Sequence, residues 1–372
     1  MSKAKPRVAL VHDRLCNRGG GEMIALAMAK HFQADVFTAK YKPENTFDYA
    51  QKLNVTEISP GKTYSSEVKD IFVRMKDALK FAALDLKEYD FVILSGTYAF
   101  FAAKKNPNNL LYCHSPNRFV YDLYYPYRRE FSQSNFLKGV AFSAWKNFWE
   151  PIDQAHFRKV KNIVTNSRNV GLRVQRYYGR DDYRVVHTGI DLEAFKAGKS
   201  GDYFLSVQRA MPSKRLDLQL DVFEELPGEN LKIVGQALYG TKYQQRIMKR
   251  VEKMNNVEWI GAASDAELKD LYAHCKAVIQ TPMFEDLGAV PIEAMASGKP
   301  CIAVNEEGMQ ESIVHGVTGL LVDQPHKANF VRALKDFDSF GFKEKNCLER
   351  AKYFSEGEFF KRMDAAVKAA GF

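Results

Sequence analysis

The chain has 372 residues, 46% of them hydrophobic, which is apolar material for large cores and a length that favours two domains over one. Its five cysteines, Cys16, Cys113, Cys275, Cys301 and Cys347, are odd in number, far apart and without a C-x-x-C pair, so neither a disulfide framework nor a zinc site is indicated. The net charge of +9 is concentrated: between Arg118 and Arg180 stand 12 Lys or Arg against 4 Asp or Glu, a basic segment that asks for an acidic partner such as nucleic acid, anionic lipid or a phosphorylated substrate.

The N-terminal MSKAKPRVALVHD is basic, but its apolar run of about five residues is too short for a signal peptide, and no apolar run of about 18 residues occurs anywhere. A cytoplasmic chain is the expectation. Arg7 to His12 reads as a short buried strand, Asp13 to Gly21 (DRLCNRGGG) as a loop, and Glu22 to Phe32 as a helix. Strand, glycine loop and helix open a doubly wound α/β domain, although Gly19, Gly20 and Gly21 do not spell a dinucleotide fingerprint. Gly61-Lys62-Thr63 lacks the earlier glycine of a phosphate-binding P-loop, where Thr56 stands instead, and that reading is dropped. Asp90 to Ser95 and Leu110 to Cys113 read as buried strands that deliver Ser95 and His114 at their C-terminal ends, the edge where open α/β sheets bind ligands.

Residues 119 to 149 are crowded with aromatics. Phe136, Leu137, Val140, Ala141, Trp145, Phe148 and Trp149 fall near one helical face with Lys138 and Lys146 off it, a pattern that suits an interfacial helix or a helix packed on the domain. Val160 to Gly179 reads as a strand, an Asn-Ser cap and a basic helix, and Lys196 to Asp202 (KAGKSGD) has the composition of a linker.

A second α/β unit then begins. Tyr203 to Val207 is a strand, and the loop after it offers Arg209 and Lys214, cations placed where they suit a diphosphate. Strands at Leu231 to Val234, Val257 to Ile260 and Ala277 to Gln280 alternate with helical stretches, which implies a parallel sheet. After the last comes TPMFEDLGAVPIEAMASGKPCIAV, residues 281 to 304: a loop, a helix entered through Pro291 and stopped by Gly298 and Pro300, then a strand. This order puts Glu285 in the loop and Glu293 in the first turns of the helix. Backbone N–H groups between them suit an anion, and the carboxylates suit sugar hydroxyls.

The E-x7-E pair before EAMASGKPCIAV, the Arg209-x4-Lys214 pair, the GGGE run ending at Glu22, CHSPNR at 113 to 118 and GIDLEAF at 189 to 195 together resemble the retaining glycosyltransferases of family-4 type and GT-B fold, in particular a subgroup that includes O-antigen mannosyltransferases. His187 departs from the pattern, standing where a proline is usual. The resemblance implies an α/β architecture of two facing Rossmann-like domains with parallel sheets and an interdomain cleft. Residues 1–195 would bind the acceptor, residues 201–345 the nucleotide sugar, and the helices of about 346–372 would pack back on the first domain. It further implies that Arg209 and Lys214 stabilise the leaving diphosphate, that Glu285 and His114 attend the donor sugar, that Glu293 holds the ribose, and that Gly19 to Gly21 and the run Leu287, Gly288, Ala289 and Val290 lie against the donor. The donor is expected to be GDP-mannose or else a UDP-sugar, with no other cofactor and no metal. The only D-x-D, Asp336-Phe337-Asp338, lies in a late helical stretch.

Asp13, at the mouth of the first strand, is the remaining carboxylate that could act as an inverting base. Asp13, Arg118, Lys138, Trp145, Lys146 and Trp149 are candidates for acceptor or membrane contact, with a lipid-linked glycan as acceptor and peripheral contact with an anionic membrane on its cytoplasmic face. Two other readings stay open. A nucleotide-sugar epimerase or phosphorylase would share the fold, and a nucleic-acid-binding protein would use the basic segment but leaves both paired motifs unexplained.

Overall fold

The computed structural model describes residues 6–61, 67–235 and 241–372. Lys62 and Thr63 of the dismissed P-loop reading, and the first five residues, lie outside these. The chain divides into two units, residues 1–187 with 360–372, and residues 188–359.

The first unit opens with β1 (Val8–Leu15), α1 (Gly20–Phe32), β2 (Asp35–Tyr41), β3 (Val55–Glu57), α2 (Glu67–Ala83), β4 (Phe91–Ser95) and β5 (Asn109–Cys113). It continues through α3 (Tyr124–Ser134), α4 (Phe136–Phe157), β6 (Asn162–Thr165), α5 (Arg168–Tyr178) and β7 (Tyr183–Val185). The strands pair in parallel in the order β3-β2-β1-β4-β5-β6-β7. Strands buried on both faces need near-continuous apolar runs, and Phe91 to Leu94 and Leu110 to Cys113 supply them. α5 is entered as its sequence promised: Ser167 Oγ accepts from the Val170 N–H at 3.0 Å, and Gly179 ends the helix at φ 66°. β1 runs three residues past His12, because Asp13 to Leu15 continue pairing with β2 and so belong to the sheet.

The second unit contains β8 (Tyr203–Val207), α6 (Leu216–Glu225), β9 (Asn230–Val234), α7 (Lys242–Val251), β10 (Val257–Gly261), α8 (Asp265–His274), β11 (Ala277–Gln280), α9 (Ala289–Ala296) and β12 (Cys301–Val304). After these come α10 (Met309–Ser312), β13 (Gly319–Val322), α11 (Lys327–Lys335) and α12 (Glu344–Lys352). Its sheet is also parallel, in the order β10-β9-β8-β11-β12-β13. Both sheets reverse their winding once, between β1 and β4 and between β8 and β11, and such a switch point opens a crevice at the carboxyl ends of the strands.

The boundaries differ from those read in the sequence. KAGKSGD is a packed strap of the second unit rather than a linker: buried Lys299 donates to Gly198 O at 2.7 Å and Ser200 Oγ at 2.8 Å, and Gly201 N–H donates to His274 O. Residues 346 to 359 also stay with the second unit, where Cys347, Ala351 and Phe354 pack with Ile190, Ile292 and Met295, and Ile190 exchanges backbone hydrogen bonds with Phe354 and Glu356. Only residues 360–372, in the run of α13 (Glu356–Ala369) and beyond, join the first unit. There His31 stacks on Phe360 at 4.0 Å and approaches Asp364 Oδ1 at 2.8 Å, and Phe372 stacks on Phe91 at 4.1 Å.

Candidate functional site

In the second unit, the loops after β8 and β11 are the two at its switch point. The first holds Arg209, which is exposed, and a single 3-10 turn, Pro212–Lys214, closed by Arg215 at φ 51°. The second is tied to it through the backbone: Met283 N–H donates to Ser213 O at 2.7 Å, and Thr281 Oγ1 donates to Lys214 O at 2.9 Å. Buried Gln219 on α6 in turn donates to Thr281 Oγ1 at 3.0 Å. These ties hold Lys214 against Glu285, Nζ to Oε2 at 2.7 Å, with side-chain exposures of 24% and 23% that leave the pair open to a ligand. Phe284 at φ 57° and Gly288 at φ 85° turn the loop into α9, which starts without a side-chain cap. Its first amides, from Ala289 and Val290, are therefore unclaimed by any capping side chain, and the helix dipole adds partial positive charge beside them. Gly308 lies so close beneath Asp286 and Leu287 that a Cβ there would meet Asp286 O at 2.5 Å, which fixes the loop from below.

Glu293 stands within α9, as the sequence implied. Tyr272 OH donates to its Oε2 at 2.6 Å, and burial pushes the carboxyl above the usual carboxylate range. Tyr272 is fully buried and belongs to the core, so Glu293 is aimed by a rigid partner that the sequence reading did not single out. The D-x-D motif is structural: Phe337 is buried and Asp338 pairs with Lys276 at 3.3 Å. Among the described residues no cluster of three or more metal-ligating side chains occurs.

In the first unit the switch point gathers His12, Ser95 and His114. Register places His12 opposite Ser95, so β1 and the ends of β4 and β5 bring Ser95 Oγ within 3.2 Å of His12 Nδ1 and 2.8 Å of His114 Nε2. Burial, assisted by the neighbouring His12, holds His114 down to about 3, so its ring is neutral across the physiological range. Asp13 does not present its carboxylate as a base. It accepts backbone N–H groups from Thr97 at 2.6 Å, Tyr98 at 2.9 Å and Ala99 at 2.7 Å, and so caps the 3-10 turn Ala99–Lys104. Gly96, at φ 131°, leaves the room that this carboxylate fills. Gly19 is the N-cap position of α1, and the Glu22 carboxylate lies where a Cβ on it would project. Gly20 and Gly21 form the first helical turn, where a Cβ would meet nothing within 4 Å.

The basic aromatic segment divides. Arg118 and buried Arg173 share the carboxylate of Asp122 at 3.2 and 3.3 Å, so these two cations are committed internally. Trp149 is 1% exposed and stacks on Phe101, and Trp145 is half-buried with Nε1 2.9 Å from Met75 Sδ. Neither is an interfacial anchor, because the face of α4 that carries them with Phe142 packs inward. Lys146 pairs with Glu150 at 2.7 Å, whereas Lys138 is exposed. Leu137, Val140, Ala141, Ala144 and Phe148, on the other side of the helix, are the exposed apolar stripe. Deeper on α4, fully buried Asp153 accepts from Tyr178 OH at 2.7 Å and Tyr121 OH at 3.1 Å, and burial raises its carboxyl to about 7.

Two doubly wound units with cations, carboxylates and an uncapped helix start at the switch point of the second define a glycosyltransferase of GT-B fold. Residues 18–194 match the family model for Glycosyltransferase Family 4, and residues 190–353 match that for Glycosyl transferases group 1. The chain belongs to the family-4-type GT-B glycosyltransferases and is a hexosyltransferase. The human alpha-1,3/1,6-mannosyltransferase ALG2 is 27% identical over 384 aligned residues that cover 90% of this chain and 88% of the relative. The ALG2 of Dictyostelium discoideum is 23% identical, covering 88% of each chain. In fold, the chain is similar to Anabaena HepE in complex with UDP and glucose, with TM-score 0.72 at 18% identity over 98% of this chain and 99% of that one. It is likewise similar to sucrose-phosphate synthase from Thermosynechococcus elongatus, with TM-score 0.77 at 18% identity over 98% of each.

Proposed function

We propose that this hexosyltransferase moves a mannosyl unit, with retention, from a nucleotide-diphosphate sugar to a hydroxyl of a lipid-linked glycan. Mannose rests on the named activity of the ALG2 relatives and the lipid-linked acceptor on the basic segment and exposed apolar stripe of the first unit, and GDP-mannose is the favoured donor, with a UDP-sugar as the other candidate. The observation that carries the reading is the Lys214–Glu285 pair beside the uncapped start of α9, with Glu293 one helical turn further on. Lys214, Arg209 and the amides around Leu287, Gly288, Ala289 and Val290 would meet the charge that develops on the leaving diphosphate. Glu285 would accept from the donor sugar's hydroxyls, and Glu293, with Tyr272 holding one oxygen, would accept from the ribose. His114, neutral, would act on the sugar as a hydrogen-bonding group and not as a proton donor, and the Gly19 to Gly21 backbone would lie against it.

With two cations and helix amides assigned to the diphosphate, the reading needs no metal. The acceptor side would belong to the first unit, in peripheral contact with a membrane surface. No helix of the described residues is long and apolar enough to cross a membrane. Incubating the protein with a panel of nucleotide sugars and measuring nucleotide release tests the donor assignment. Release from GDP-mannose above the rest is the expected result, and release from none of them would overturn it. The nucleic-acid alternative loses support where Arg118 and Arg173 are committed to Asp122.

A further inference from the structure

Where α3 meets α4, Asn135 is fully extended and caps α4 by accepting the Leu137 N–H at 2.8 Å, which makes a tight elbow. The elbow closes at Gly139, whose missing side chain lets α4 press on Ser132, since a Cβ there would collide with the Ser132 hydroxyl. Glycine inside a helix costs roughly 0.5–1 kcal/mol relative to alanine, so this close approach is the reason to expect for it. Beside the elbow lies a cavity of about 550 Å³ lined by Tyr125, Arg128, Arg129, Ser132, Gln133 and Phe136. Arg128 is held in place through Nε, which donates to Ser143 Oγ at 3.0 Å, while Ser143 donates to Gly139 O and receives Tyr124 OH. The one acid of α3, Glu130, does not line the cavity.

The rim is apolar. Tyr125 is 73% exposed, Phe136 74%, Leu137 71% and Phe148 61%, and from Phe136 the row continues along the outer face of α4 beside exposed Lys138. Two guanidinium groups at a hollow whose exposed lining is largely apolar, bordered by a row of exposed apolar side chains, match a surface that is anionic at its phosphates and apolar just beneath. We propose that the α3–α4 elbow is a lipid-phosphate site that seats this enzyme on an anionic bilayer, with Arg128 and Arg129 on a headgroup phosphate and the Phe136, Leu137 and Phe148 side chains in the acyl boundary. This rests on the reading that the acceptor is lipid-linked, and it names the surface that would meet the lipid.

Flotation of the full chain with vesicles tests it. The expected result is binding to phosphatidylcholine vesicles containing phosphatidylglycerol, little to phosphatidylcholine alone, and weakening with salt. Each of Arg128→Gln and Arg129→Gln should lower the partition coefficient about fivefold, the share of one cation near such a surface. Phe136→Ser with Phe148→Ser should abolish binding, and as both residues are exposed the variant should keep its circular dichroism. Nucleotide release from the donor in the absence of vesicles should be unchanged in every variant. Equal binding to neutral vesicles, or arginine variants that bind like wild type, would overturn the proposal. So would a wild-type dimer in sedimentation that Phe136→Ser with Phe148→Ser turns into monomers without any vesicle binding, which would give this face to a second copy of the chain. Failed flotation with donor turnover intact sinks only the membrane seat, whereas absent donor turnover sinks the functional reading itself.

Discussion

Lys214 Nζ lies 2.7 Å from Glu285 Oε2, although 71 residues separate them in the chain. The two loops at the switch point of the second sheet thereby act as one unit, and the charge that would stabilise a leaving diphosphate is positioned by the carboxylate that would hold the sugar. Lys214→Ala and Arg209→Ala should each lower kcat roughly ten- to hundredfold, the cost of losing one charge-assisted contact. A double cycle of Lys214→Ala with Glu285→Ala should be non-additive. Unchanged turnover in either cation variant would remove these residues from the reaction.

Glu293→Gln should act chiefly on binding. Its contact with the ribose is the same in ground and transition states, so donor KM should rise about tenfold with kcat little changed. Tyr272→Phe, which frees the carboxylate to turn, should raise KM by less. A fall in kcat alone would assign Glu293 to the chemical step.

Activity should persist in EDTA. Loss of nucleotide release on chelation, restored by adding a divalent cation, would mean that Arg209, Lys214 and the α9 amides do not meet the diphosphate charge by themselves.

The paired motifs were legible because R-x4-K lies within one loop and E-x7-E within one loop and the helix it enters, and the alternation of strands and helices marked the second sheet as parallel, whereas β2, β3 and α2 were not singled out. What escaped the sequence depends on distant partners. Asp13 looked like an available base because its three N–H donors, Thr97, Tyr98 and Ala99, stand more than eighty residues away. Periodicity put Phe148 and Trp149 on one face of α4. The helix has apolar residues on two sides, and only the packing of α2, α3 and the 3-10 turn at Ala99–Lys104 against one of them tells which is inside. His12 carried no motif, and only strand register set it beside Ser95.

The capping role of Asp13 bears on stereochemistry. With all three N–H groups on its oxygens, it is not placed to deprotonate an acceptor, and an α-linked donor should give an α-linked product. Asp13→Asn should lower stability by about 1–3 kcal/mol, through loss of the Thr97 contact, and leave the product α-linked. A coupling constant at the new anomeric centre that reports a β-linkage would refute retention.

Asp153 gives a pH signature. In the unfolded chain its carboxyl releases a proton near 3.8, and in the fold it keeps that proton up to about 7. The native state therefore binds the extra proton between these values, and this residue's contribution to stability falls as pH rises through that window. Asp153→Asn, which can still accept from Tyr121 and Tyr178, should match wild type at about pH 4 and exceed it in Tm at about pH 8. Parallel Tm curves for the two proteins across that range would show that Asp153 is already ionised when folded.

The last residues of α13 and those after it complete a body whose other parts were made at the beginning. Phe360, Asp364 and Phe372 rest on His31 and Phe91, so the first sheet keeps Phe91 without its stacked partner until residue 372 has left the ribosome. Synthesis thus imposes a waiting period on the unit that starts first, while residues 188–359 have all their own segments in hand sooner. A chain truncated after residue 359 and released from the ribosome should display a finished second unit and a protease-sensitive first one, the reverse of the order in which they were translated.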